Sequence, residues 1–115
     1  MEQNDPSEIF TTFCSDLLTS ADNVDALFDF SAIAITAWNY ADNPEAGIVQ
    51  AIEHLIKRLK REETQSSGKT FRIRDTVRTM IDRKNKDFGE HGFRIVKADF
   101  ENEENRIKVN VKVAC

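Results

Sequence analysis

Two histidines, two cysteines and a few adjacent carboxylates are the side chains of this sequence best suited to acid–base, nucleophilic or metal chemistry. Their spacing carries none of these. His54 lies in "IEHLIK" and His91 in the turn "GEHG", with neither an HExxH pair nor paired cysteines to complete a zinc site. Mixed ligation by Asp87, Glu90 and His91 can be drawn, but exposed polar residues in a turn account for the same letters. A nucleophile needs a base that is itself oriented. Cys14 with His54 would require a buried histidine near a helix middle. The carboxylate pairs Glu62/Glu63 and Glu103/Glu104 fall at a helix end and in a loop, where burial would not shift their protonation. GxSxG, a glycine-rich phosphate loop and the dinucleotide fingerprint are all absent. No catalytic residue, metal ligand or cofactor site is therefore expected, and the chain reads as a non-enzyme.

The strongest pattern is electrostatic. Residues 1–50 hold nine acids and no Lys or Arg, a net charge of −9; residues 51–115 hold eleven acids and all sixteen bases, a net charge of +5, so the whole carries −4. Four bases crowd into "KRLKR": Lys57, Arg58, Lys60 and Arg61. Further cations follow at Arg72, Arg74, Arg78, Arg83 and Lys84.

Three readings compete. In the first, the acidic half neutralises the basic half, within one chain or between two copies, and "KRLKR" is the wet face of a helix whose negative end it complements. Glu53, four residues before Lys57, has the favourable order for an ion pair on a helix. In the second, the nine cations form a polyanion site for nucleic acid. The pI near 5.2 and the absence of any nucleic-acid-binding signature weigh against it. In the third, the acidic half binds a basic partner, as an inhibitor, immunity or antitoxin-type protein would. The first is preferred, because charge runs are usually solvated surface.

These residues must be positioned by a small fold. The 115 residues suit one domain, and 40 % hydrophobic content with eight Phe suffices for a core. The most apolar run, Phe30 to Ala41, is too short for a membrane span, and the polar start "MEQNDPSE" is unlike a signal peptide. A cytoplasmic, non-membrane protein is expected. Cys14 reads as a buried hydrophobe, and Cys115 does not fit a prenylation signal.

Asp5, Pro6 and Glu8 announce a helix to about Ser20. Val24 to Ala41 is apolar on most sides and reads as a central helix, with a break conceivable near Asp29–Ser31. Asn43 and Pro44 start a third helix, to about Glu63, with Ile48, Val49, Ile52, Leu55, Ile56 and Leu59 in one stripe. "TQSSGK", residues 64–69, reads as a flexible linker. A fourth helix from Phe71 or Asp75 to Asp87 carries Ile73, Val77, Met80, Ile81 and Lys84 at helical spacing, although "TFRIR" also alternates like a strand. "FRIVKADF" and "RIKVNVKV" then read as a β-hairpin around "ENEEN".

The expectation is an α+β fold, about four helices followed by an antiparallel hairpin packed on them. It forms a single domain of residues 1–115, with residues 1–63 helical, residues 64–69 a linker, and residues 70–115 a helix plus the hairpin. In "AWNY", Trp38 and Tyr40 are candidate interface anchors, against the alternative that Trp38 fills the core. The expected function is a non-catalytic protein-interaction or accessory module. It is expected to form a homo-oligomer, because a terminal hairpin has open edges, or to take another protein partner. A nucleic-acid-associated regulator using residues 57–86 is the alternative.

Overall fold

The computed structural model of the chain describes residues 5–41, 47–103 and 106–114. Its elements are α1 (Pro6–Thr19), α2 (Val24–Tyr40), α3 (Ile48–Leu59), β1 (Glu63–Ser66), β2 (Lys69–Arg72), α4 (Ile73–Asp87), β3 (Arg94–Glu103) and β4 (Arg106–Ala114). This is the expected α+β arrangement, with four helices and a terminal antiparallel hairpin packed on them.

Local chemistry sets the helix starts. Asp5 accepts from the Ser7 N–H at 3.0 Å and Pro6 takes the first turn of α1. Asn23 accepts from the Ala26 N–H at 2.8 Å to open α2. α2 then runs without a break through Asp29–Ser31. Gly47 opens α3 at φ +98°, a left-handed geometry that glycine adopts without a steric penalty. The expected Asn43–Pro44 start falls outside the described residues.

α3 ends with its apolar stripe at Leu59, four residues before the expected end at about Glu63. Lys60 takes φ +62° and its N–H bonds back to the Ile56 carbonyl at 2.8 Å, so the chain turns off the helix there. Of the expected stripe, Ile48, Ile52 and Leu55 are buried, while Val49 faces outward.

The segment read as a linker is structured. Residues 64–69 lie in a tight hairpin in which Glu63 pairs with Arg72 and Ser66 with Lys69. Ser67 and Gly68 both have positive φ, +55° and +74°, the backbone of a two-residue type I′ turn. Its buried side chains are Thr64 and Ser66, which are polar, so it has no apolar alternation to reveal it. Hydrogen bonds hold it to the helices instead. Thr64 Oγ1 donates to Asp29 at 2.9 Å, and Ser66 Oγ donates to the Ser20 carbonyl at 2.7 Å. "TFRIR" is thus divided: its first residues end β2 and Ile73 begins α4.

The second hairpin carries a bulge. Ile95 pairs with Val113 and Lys97 with Lys112, leaving Val96 as the extra residue. The letters require it. Phe93 and Ile95 have odd numbers and Ala98 and Phe100 even ones, yet all four pack toward the core. One inserted residue switches the parity.

The core is aromatic where helices and second hairpin meet. Trp38 contacts Phe13 at 5.0 Å and Phe93 at 4.9 Å between ring centres, with Phe10 and Phe88 around them. A second aromatic pair, Phe30 with Phe71, joins α2 to the first hairpin.

Candidate functional site

The sequence-derived cations are dispersed over four environments. Lys57, Lys60, Arg61, Arg72 and Arg74 line one open groove of about 900 Å³, between the end of α3, the first hairpin and the start of α4. Glu62, Glu63 and Asp75 line it too. Arg58 instead borders a separate hollow of about 540 Å³ beside Tyr40 and Gly47. Arg78 is exposed on α4 and lines neither.

Lys84 and Arg83 are engaged within the fold rather than at the groove. Lys84 is 1 % exposed. Its Nζ donates to the His91 carbonyl at 2.7 Å and sits 4.6 Å from the Trp38 ring centre, a cation–π geometry. Lys84 belongs to the buried stripe of α4, as its helical spacing indicated. Arg83 donates through Nε to the Phe13 carbonyl at 2.9 Å and lies over the Phe88 ring, so it clasps α1 to α4.

Trp38 fills the core, the alternative weighed from the sequence: it is 2 % exposed and its Nε1 donates to the Phe93 carbonyl at 2.8 Å. Asn39 supports the second hairpin, with Nδ2 donating to the Ile95 carbonyl and Oδ1 accepting from the Ile95 N–H, both at 2.9 Å. Tyr40 is half-buried at the hollow it shares with Gly47.

The two electrical halves meet. Arg61 Nη1 lies 3.3 Å from Asp29 Oδ2, and Lys108 Nζ lies 3.2 Å from Glu8 Oε2. Each pair joins an acid of the first fifty residues to a base beyond them. Asp29 is buried, so Arg61 and Thr64 together solvate a carboxylate that water cannot reach. Within the groove, Arg72 Nε stands 3.8 Å from Glu63.

Cys14 is buried, and desolvation pushes its thiol up to about 12, against smaller opposing effects of its backbone hydrogen bond and Arg83. A thiol in that state is a poor nucleophile. His54 borders the Tyr40 hollow; His91 supplies its carbonyl to Lys84. Among the described residues no group of three or more His, Cys, Asp or Glu is placed to hold a metal ion, and no helix is long and apolar enough to cross a membrane.

The open hairpin edge expected from the sequence is localised by the structure to one edge of the second hairpin. Thr11 Oγ1 bonds both main-chain groups of Val109, and Ser7 Oγ accepts from the Val111 N–H at 2.9 Å. The main-chain groups of Val109 and Val111 therefore point away from β3. In an antiparallel ladder, directly opposed residues either bond each other or both face outward. Phe100 opposes Val109 and Ala98 opposes Val111, so the N–H and C=O groups of Ala98 and Phe100 face away from β4. α1 closes the β4 edge and Asn39 closes β3 at Ile95. Ala98 and Phe100 have no corresponding closure among the described residues. Beside them lie Phe28, 59 % exposed and 5.9 Å from the Phe100 ring, and Val24, 65 % exposed one turn earlier on α2. Alternation of hydrophobic letters gave the strands, but only the side-chain bonds from α1 and α2 reveal which edge stays open.

No protein-family model matches this chain, and neither a curated protein nor a solved structure matches it.

Proposed function

We propose that the chain is a non-catalytic protein-interaction module that self-associates through the β3 edge, two copies joining their hairpins into a continuous four-stranded sheet. The observation that carries this is the pair of outward-facing main-chain residues, Ala98 and Phe100, beside the exposed ring of Phe28. Unpaired strand edges template pairing with another chain unless they are blocked, and here the side-chain closure of the edge stops at Ile95 and the bulge at Val96, leaving the main chain beyond them outward-facing.

A copy running antiparallel about an axis at Phe100 leaves Asn39 undisturbed. It sets positions 98, 100 and 102 opposite 102, 100 and 98, all with outward-facing main chain. The two Phe100 residues then form a cross-strand aromatic pair. Main-chain pairing and apolar burial carry the association.

The intramolecular ion pairs Arg61–Asp29 and Lys108–Glu8 support the reading in which the charge halves neutralise each other within one chain. Exchange of charge halves between copies is not needed for the dimer. Sedimentation equilibrium of the wild-type chain and of Ala98→Pro tests the proposal.

A further inference from the structure

The groove between α3 and α4 is not used by the β3-edge dimer, and its chemistry is different. We propose that this groove binds a compact polyphosphate group. Five cations from separate elements converge on it: Lys57 and Lys60 from the end of α3, Arg61 just beyond, and Arg72 and Arg74 from the junction of β2 with α4. Three acids, Glu62, Glu63 and Asp75, share its walls, so the lining carries a net charge of +2, five against three.

Two of the cations are already committed. Arg61 serves buried Asp29 at 3.3 Å and Arg72 lies 3.8 Å from Glu63. Lys57, Lys60 and Arg74 have no ion pair among the described residues, and all three border the same concavity.

The start of α4 breaks a local rule. Its N-cap is Arg72, which makes no side-chain cap hydrogen bond, and Arg74 follows in the first turn. Helix starts favour Ser, Thr, Asp or Asn at the cap and acids in the first turn, because uncapped N–H groups and the macrodipole make that end positive. Asp75 supplies one acid; two arginines oppose it. The Ile73 N–H already donates to the Glu62 carbonyl at 3.0 Å, so an anion in the groove would relieve the imbalance chiefly through the guanidinium and ammonium groups, with the next N–H groups of the helix start complementary to phosphate oxygens. Violations of local preference concentrate where function demands them.

The size and reach of the site favour a compact ligand over a nucleic-acid strand. A volume of about 900 Å³ is within the range of small-molecule sites. The other sequence-derived cations do not extend it into a track: Arg58 borders a different hollow, Arg83 clasps α1, and Lys84 is buried. Among the described residues no aromatic side chain lines the groove to stack a base. Dense negative charge on adjacent phosphoryl groups, free or carried by a nucleotide, is the chemistry that fits.

Isothermal titration calorimetry at low ionic strength decides the matter, using inorganic tripolyphosphate, ATP and a short mixed-sequence DNA duplex. Tripolyphosphate is expected to bind the wild-type chain. Lys60→Gln with Arg74→Gln, which spares both existing ion pairs, is expected to weaken it about tenfold or more. The charge-matched pair Arg58→Gln with Arg78→Gln is expected to leave the affinity nearly unchanged. Lys57→Gln with Lys60→Gln repeats the test without touching α4, should the first variant lose its circular dichroism signal. Tighter binding of ATP than of tripolyphosphate assigns the group to a nucleotide; equal or weaker binding assigns it to free polyphosphate. Absence of tripolyphosphate binding, equal losses in the groove and control variants, or a duplex bound more tightly than either small ligand overturns the proposal.

Discussion

Thr11 Oγ1 occupies both main-chain groups of Val109, 98 residues away in sequence: it accepts from the N–H at 2.9 Å and donates to the C=O at 3.2 Å. One buried hydroxyl thereby takes the place of a neighbouring strand. It seals the β4 edge and fixes the direction in which Phe100 presents its own main chain. Thr11→Val keeps the shape and removes the hydroxyl, leaving a buried donor and acceptor unpaired. The expected loss is about 2–3 kcal/mol in urea unfolding. Thr11→Ser retains the hydroxyl and should lose about 1 kcal/mol or less, the worth of one buried methyl group. Equal losses in the two variants would show that packing, not the hydroxyl, matters here.

Arg61 and Lys57 test which portion of "KRLKR" is structural. Arg61 is half-exposed yet reaches buried Asp29, whereas Lys57 is exposed at the groove and has no ion pair among the described residues. Arg61→Gln is expected to cost about 1–2 kcal/mol, because it strands a buried carboxylate. Lys57→Gln should stay within about 0.5 kcal/mol of wild type. Denaturant midpoints of the two variants, measured side by side, check this; a larger loss at Lys57 contradicts it.

Asp22 holds the turn of the first hairpin. Its carboxylate accepts from the Ser67 N–H at 2.8 Å, from Ser66 Oγ at 3.0 Å and from Asn23 Nδ2 at 2.7 Å. The Ser67 bond foremost, then the Ser66 bond, hold its pKa below the usual 3.8, against a smaller opposing effect of desolvation. A depressed carboxylate binds its proton less tightly when folded than when unfolded. Its stabilisation is therefore complete above the unfolded value and disappears as pH falls through the folded one. Wild type should exceed Asp22→Ala in stability at neutral pH, and the gap should narrow in acid below 3.8. Urea midpoints across that range provide the check, and a gap independent of pH would sink the explanation.

Burial of Cys14 makes a kinetic prediction. In a Cys115→Ser background, Cys14 in the folded protein should react with a disulfide reagent far more slowly than an ordinary thiol, because burial both excludes the reagent and disfavours the thiolate. Unfolding should restore the normal rate. Fast labelling of the folded chain would place Cys14 nearer to solvent than its full burial implies.

Much of this fold was legible in the letters, and the failures have specific causes. Apolar spacing reveals a helix or strand when its inner face is apolar, as along Ile73, Val77, Met80 and Ile81 or Val109, Val111 and Val113. It is silent for β1, whose inward residues are Thr64 and Ser66. There the informative letters were Ser67–Gly68, a turn signal rather than a linker signal. Lys84 was read both as a member of the helical stripe and as a surface cation; burial over Trp38 resolves the conflict in favour of spacing. The groove was half legible. Five cations do converge, but the separation of Arg58, Arg83 and Lys84 from them depends on where α3 stops, and a left-handed Lys60 is not a letter-level feature. The open β3 edge was foreseen only as a property of any terminal hairpin. Its confinement to Ala98 and Phe100 follows from Thr11, Ser7 and Asn39, whose partners lie far away in sequence.

The most direct measurement is sedimentation equilibrium of the wild-type chain and Ala98→Pro at tens of micromolar. The Ala98 N–H faces away from β4, so proline there removes no bond of the internal ladder but denies one to an incoming strand. The proposal predicts a wild-type dimer and a folded monomer for Ala98→Pro. A wild-type monomer at that concentration, or a dimer that Ala98→Pro leaves intact, would contradict it.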